Sequence, residues 1–192
     1  LRDIFAKEAQ RHKELQSSEK CDGYSRKVYE RLVNGSATEV ELSSALLDLS
    51  AMLHSHYDVA PVIIIDEYDT PIQQGHSEDY YDKIIRFMRN LFSGGFKDNS
   101  HLSFGFLTGI LRVAKESIFS GMNNLSINSV LDNKYSAYFG FTADEVREMA
   151  AYYDAADKYD EICQWYDGYL FGKTEIFNPW SVVSYFSNKC EP

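Results

Sequence analysis

The chain has 192 residues, 44% of them hydrophobic and 15% aromatic, with a formal net charge of −10. This is ample for the core of one domain with a small appendage and far from a disordered composition, and no stretch approaches the roughly 18 uninterrupted apolar residues of a membrane span. The acidic balance, spread along the chain, argues against a broad nucleic-acid footprint.

The opening LRDIFAKEAQRHK is charged and amphipathic, with no signal-peptide core. The chain begins with Leu1, so a piece of a longer protein is expected. Cys21, Cys163 and Cys190 are odd in number and widely spaced, which fits free thiols in a reducing cytoplasm better than disulfides or a zinc site. Tyr24, Val28 and Leu32 recur every four residues and stop at Asn34-Gly35, a helix exit. Thr38-Glu39-Val40-Glu41 is a capping-box pattern opening a stripe through Leu42, Leu46, Leu49 and Leu53. His54 and His56 follow that stripe and read as a polar helix end, not as metal ligands.

Next comes VIIIDEYDTPI, residues 62–72. Four β-prone aliphatic residues suggest a strand buried on both faces, as in a parallel sheet covered by helices. Two adjacent carboxylates at its end, Asp66 and Glu67, must each be solvated or paired. Asp69, Thr70 and Pro71 read as a turn. A second stripe (Tyr80, Ile84, Phe87, Met88, Leu91) predicts a helix over Ser77–Ser93, ending at Gly94-Gly95. LSFGFLTG, residues 102–109, reads as another strand. Strand, helix and strand make a βαβ unit, which sets Asp66 beside Thr108 at the carboxyl ends of neighbouring parallel strands. Ligands bind along that edge in open α/β sheets.

Composition shifts after about Tyr135. Thr142 and Glu145 form a second capping box, with Phe141 and Val146 placed as its staple. Asn178-Pro179 is a third helix start, with Phe177 and Val182 as staple. The expected organisation is an α/β core over residues 1–138 and a mostly helical subdomain over 139–192. Trp165 and Trp180 are expected in the core or at a subdomain contact.

Magnesium is usually held by one or two carboxylates plus phosphate oxygens and water, a duty that suits Asp66. Glu67 could orient a water for attack on a terminal phosphate, Thr108 offers a hydroxyl one strand over, and Arg112 could neutralise developing charge. Arg112 has an equally simple alternative, an ion pair with Glu116 four residues on, worth about 0.2–0.5 kcal/mol. A phosphate site also needs a GxxxxGK[ST] loop after a strand. No Gly-Lys precedes Asp66. Gly168–Thr174 ends in Gly-Lys-Thr, but its glycines are one residue too close, bulky side chains fill the gap, and it follows the acidic strand. A surface turn that binds no phosphate is expected there.

VIIIDEYDTPI, LTGILRVAKESIFSGMNNL, YFGFTADEV and WYDGYLFGKTEIFNPWSVVSYF together resemble the AAA-ATPase-like family, covering most of residues 60–187. The resemblance implies part of a P-loop NTPase core of the additional-strand class, a parallel sheet flanked by helices. It implies Asp66 and Glu67 as the Walker B pair, with Asp66 on Mg2+, Thr108 at the sensor position, and ATP as the nucleotide. Family members carry a Walker A loop near their N-terminus, and the chain is expected to start after it. In such families a PD-(D/E)XK nuclease-like domain often follows. Asn178-Pro179-Trp180-Ser181 resembles the family's C-terminal signature, taken here as structural. Two rival readings stand beside this one: a non-catalytic interaction module using an exposed sheet face, and a stand-alone magnesium site formed by Asp66, Glu67 and Asp69.

Overall fold

The computed structural model of the chain describes residues 1–97, 99–110, 118, 119, 122 and 125–190. The chain divides into two compact units, Leu1–Leu125 and Ser126–Pro192, each mixing helix with sheet.

In the first unit, helices α1 (Arg2–Gln10), α2 (Gly23–Val33) and α3 (Glu39–Tyr57) precede the sheet. The Asp22 carboxylate accepts the amides of Tyr24 and Ser25 at 2.8 and 2.9 Å, satisfying donors that open α2. Gly35 leaves the helix at φ 67°, where a side chain would be strained. The buried residues of α2 are Val28, Tyr29 and Leu32, whereas Tyr24 is exposed. Steps of four residues drift by about 40° each around a helix, so Tyr24 has left the stripe two steps from Leu32. The capping box at Thr38 and Glu41 forms, with the Thr38 amide donating to Glu41 Oε2 at 2.8 Å. Below it Leu42 and Leu49 are buried, and Leu46 and Leu53 pack against the same core.

Strands β1 (Val62–Ile65) and β2 (Phe104–Leu107) pair in parallel, with Ile65 opposite Leu107. The sheet is not buried on both faces. Ile63, Ile65 and Leu107 pack on the core, while Val62, Ile64, Phe104 and Phe106 are exposed. An unbroken aliphatic run records β propensity and cannot say how many faces are covered.

The crossover is also built differently. Two helices, α4 (Thr70–Ser77) and α5 (Tyr81–Phe92), replace the single helix expected over 77–93. The residues read as a turn begin α4, with Pro71 in its first turn, where a missing N–H leaves nothing unpaired. Gly94-Gly95 does not stop α5, which runs into a π turn over Ser93–Lys97. A β-carbon on Gly95 would lie 2.9 Å from the Leu46 side chain, so this glycine lets the turn close against α3. Phe92 is fully buried, stacked on Phe119 with centroids 5.8 Å apart and edge-on to Tyr68 at 6.2 Å.

The second unit adds a small antiparallel sheet to its helices. Strands β3 (Phe141–Thr142), β4 (Asp167–Phe171) and β5 (Thr174–Phe177) form an antiparallel sheet in the order β3-β5-β4. Helices α6 (Ala143–Tyr152), α7 (Tyr159–Tyr166) and α8 (Pro179–Ser187) contribute Val146, Ile162, Val182 and Tyr185 to a core shared with Phe177. The unit begins ahead of residue 138 because the Gly172 amide donates to Val130 O at 2.8 Å and the hydroxyls of Ser136 and Thr174 pair at 2.8 Å. The second capping box forms, and Asn178 Oδ1 accepts the Ser181 amide at 3.1 Å to open α8. Trp165 and Trp180 are both exposed, which removes them from the core, one of the two places expected for them. All three cysteines are free. Among the described residues no helix is long and apolar enough to cross a membrane.

Candidate functional site

The carboxyl ends of β1 and β2 bring Asp66, Glu67 and Thr108 together. The Thr108 amide donates to Ile65 O at 2.9 Å, extending the ladder one residue past the strands. This fixes Thr108 opposite Asp66, and the Thr108 hydroxyl donates to Asp66 Oδ1. Glu67 follows in the left-handed region at φ 51°. That turn points its amide back into the site, 3.0 Å from Asp66 Oδ1 and 3.4 Å from Thr108 Oγ1. The Glu67 side chain leans over the start of α4, where Oε2 lies 3.4 Å from Thr70 Oγ1. The chain then crosses to the other strand, with the Tyr68 amide donating to Thr108 O at 3.0 Å.

Asp66 and Glu67 are exposed and Thr108 is half-buried. Two accessible carboxylates and a hydroxyl at one sheet edge are a hard-oxygen donor set. That chemistry fits a magnesium ion that keeps waters and draws its remaining ligands from phosphate.

Asp69 is different. It is 1% exposed, and its Oδ2 accepts the Ile110 amide at 3.1 Å and Gln73 Nε2 at 3.0 Å. It stands at the N-cap of α4 yet makes no side-chain cap bond to its own helix. Three carboxylates sharing one ion, as in the stand-alone magnesium reading, are therefore not assembled here. Among the described residues no three or more His, Cys, Asp or Glu gather as a metal site. From the sequence Asp69 reads only as a turn residue or a third magnesium ligand. The signal that could have found it is Asp-Thr-Pro as a helix start, the same grammar read correctly at Asn178-Pro179.

Arg112 and its expected partner Glu116 lie outside the described residues. Gly168–Thr174 forms a hairpin: β4 turns at Gly172, φ 54°, straight into β5 and opens no helix. The two histidines at the end of α3 have separate partners. His54 Nδ1 meets His101 Nδ1 at 3.2 Å, and His56 Nδ1 meets Ser18 Oγ at 2.9 Å.

Comparison with known proteins adds a family. The model of a family described as predicted AAA-ATPase matches residues 3–119, which include the whole strand-end site. A protein of Azotobacter chroococcum mcd 1, described as an uncharacterized protein in the vnfD 5' region, is 31% identical over 163 residues. The match takes in 84% of this chain but 31% of that protein's length. No solved structure matches the chain.

Proposed function

The chain belongs to the predicted AAA-ATPase family, and on that premise we propose that it supplies the acidic and sensor half of an ATP-hydrolysing site. The fold assigned to that site is a P-loop NTPase sheet of the additional-strand class, to which β1 and β2 contribute two neighbouring strands. One observation carries the reading: the pairing of Asp66 with Thr108 across the carboxyl ends of two parallel strands. In open α/β sheets this edge receives the ligand.

Asp66 would hold Mg2+, which when bound neutralises charge on the nucleotide phosphates. Glu67, one residue beyond, is the group to orient and deprotonate the attacking water. Its left-handed backbone sets it apart from Asp66, so the two carboxylates can serve separate duties. Thr108 donates to the magnesium-binding carboxylate and thereby fixes which of its oxygens faces outward. Arg112 is assigned, from sequence position alone, to charge on the transferred phosphoryl group. ATP is the small-molecule partner proposed here, and a nuclease-like domain is the proposed neighbour in a longer protein.

The test uses a polypeptide extended upstream to include a GxxxxGK[ST] loop, with phosphate release from magnesium-ATP as the readout. Glu67→Gln is expected to abolish most hydrolysis while keeping nucleotide binding, and Asp66→Ala to impair both. Hydrolysis by Glu67→Gln at the wild-type rate would remove Glu67 from the reaction.

A further inference from the structure

The loops leaving β1 and β2 are joined by a buried carboxylate whose position has nothing to do with capping its helix. Asp69 reaches away from α4 to take the Ile110 amide at 3.1 Å, and Gln73 Nε2 holds the same oxygen from the other side at 3.0 Å. Its second oxygen is equally confined. A β-carbon on Gly109 would lie 2.7 Å from Asp69 Oδ1 and 2.7 Å from the Tyr68 ring, so residue 109 is small because the carboxylate and the ring close over it. On the opposite side of the loop the Tyr68 amide holds Thr108 O at 3.0 Å.

Residues 108–110 are thus gripped twice by residues 68 and 69, once through backbone and once through a side chain. The side-chain grip is costly to place, since a carboxylate taken out of water is tolerated only where its oxygens are well bonded. Thr108 is the residue whose hydroxyl meets Asp66. Release of Ile110 and Gly109 would free the loop to carry that hydroxyl away.

We infer that Asp69 is a positioning residue for the strand-end site: through the Ile110 amide and the close approach at Gly109 it holds Thr108 against Asp66. Its bearing on catalysis rests on the ATP-hydrolysing reading above, whereas the grip itself does not. Asparagine can keep the grip. Its oxygen, set in the Oδ2 position, accepts both the Ile110 amide and Gln73 Nε2 as the carboxylate does. Alanine cannot.

Amide hydrogen exchange on the 192-residue chain tests the grip directly. Asp69→Ala is expected to speed exchange at Ile110 by about tenfold or more, as a charge-assisted hydrogen bond is lost and the loop opens locally, with α3 amides unchanged. Asp69→Asn should stay near wild type. If Asp69→Ala does not fold, Gly109→Ala leaves the carboxylate in place and crowds it, and faster Ile110 exchange is expected there too. Unchanged Ile110 protection in a folded Asp69→Ala or Gly109→Ala variant overturns the inference.

In the loop-extended polypeptide, Asp69→Ala should lower kcat by roughly a hundredfold, the scale of a misplaced catalytic constellation, with KM for ATP little changed and Asp69→Asn restoring most of the rate. Faster exchange with an unaltered kcat overturns the positioning role. A wild-type polypeptide with no ATP turnover at all counts against the ATPase reading alone, because the exchange experiment decides the grip without it.

Discussion

Glu67 occupies a backbone conformation that its side chain disfavours, and this leads to a prediction about stability at the site. At φ 51° it lies in the left-handed region, which costs a non-glycine residue about 1–2 kcal/mol. Glycine carries no such strain, but its freer unfolded chain costs about 0.5–1 kcal/mol. The contacts that fix the turn belong to the backbone: the Glu67 amide to Asp66 Oδ1 at 3.0 Å, and the Thr70 amide to Glu67 O at 3.1 Å. Both survive substitution. The side chain's own contact, to Thr70 at 3.4 Å, is long and exposed and contributes little. Glu67→Gly should therefore stabilise the first unit by about 0.5–1 kcal/mol, while Glu67→Ala, which keeps the strain, stays within about 0.5 kcal/mol of wild type. Urea unfolding of the two variants side by side measures this as a midpoint shift of a few tenths molar, at a slope of about 1–3 kcal/mol per molar. A glycine variant no more stable than the alanine variant would refute the strain argument. The expected outcome has a functional corollary: a residue kept at a stability cost is better explained by its carboxylate than by its fold.

Two further perturbations probe the frame beneath the site. Phe92→Ala empties a fully buried position between Tyr68 and Phe119 and should cost about 3–5 kcal/mol in chemical denaturation, whereas Phe92→Leu should cost well under half of that. Glu41 is held down to a pKa of about 2, from an ordinary 4.5, first by Arg31, whose Nε donates to it at 2.8 Å, and then by the Thr38 amide. A carboxylate depressed in the folded state stabilises above its unfolded value and loses that contribution as it takes up its proton. Acid titration from pH 4.5 toward 2 should therefore erode wild-type stability more steeply than that of Glu41→Gln, and parallel curves would contradict the assignment.

What could be read directly from sequence was whatever depends on near neighbours. The capping boxes at Thr38 and Thr142 and the Asn178-Pro179 start are satisfied within one helical turn, so three or four residues suffice to specify them. The parallel pairing of β1 with β2 was legible too, because a strand, a helical stripe and a second strand at that spacing leave few other arrangements. The bare face of that sheet was not. Val62 and Ile64 are as β-prone as Ile63 and Ile65, and only tertiary structure separates the exposed pair from the covered one. The hairpin of β4 and β5 was hidden for a related reason. Asp167–Leu170 are all exposed, so no alternation of apolar and polar residues marks the strand. At Asp69-Thr70-Pro71 turn and helix-start grammars share the same letters, and the partner of the Asp69 carboxylate, the Ile110 amide, is distant in sequence. The candidate site was thus visible as Asp66, Glu67 and Thr108, while the residue that grips it was not.

The division of labour between an acidic strand and a phosphate loop is most directly measured by calorimetry with magnesium-ATP. A phosphate loop supplies a row of backbone amides, a lysine and a helix N-terminus to the nucleotide, whereas the Glu67 amide turned into the strand-end site is already taken up by Asp66 Oδ1. Asp66, Glu67 and a net charge of −10 oppose a nucleotide until magnesium intervenes. The 192-residue chain should therefore bind at about millimolar or weaker, near −4 kcal/mol at best, and the loop-extended polypeptide should recover tighter binding. Micromolar binding by the 192-residue chain alone would contradict the account, because the phosphate contacts would then have to come from residues assigned no such role.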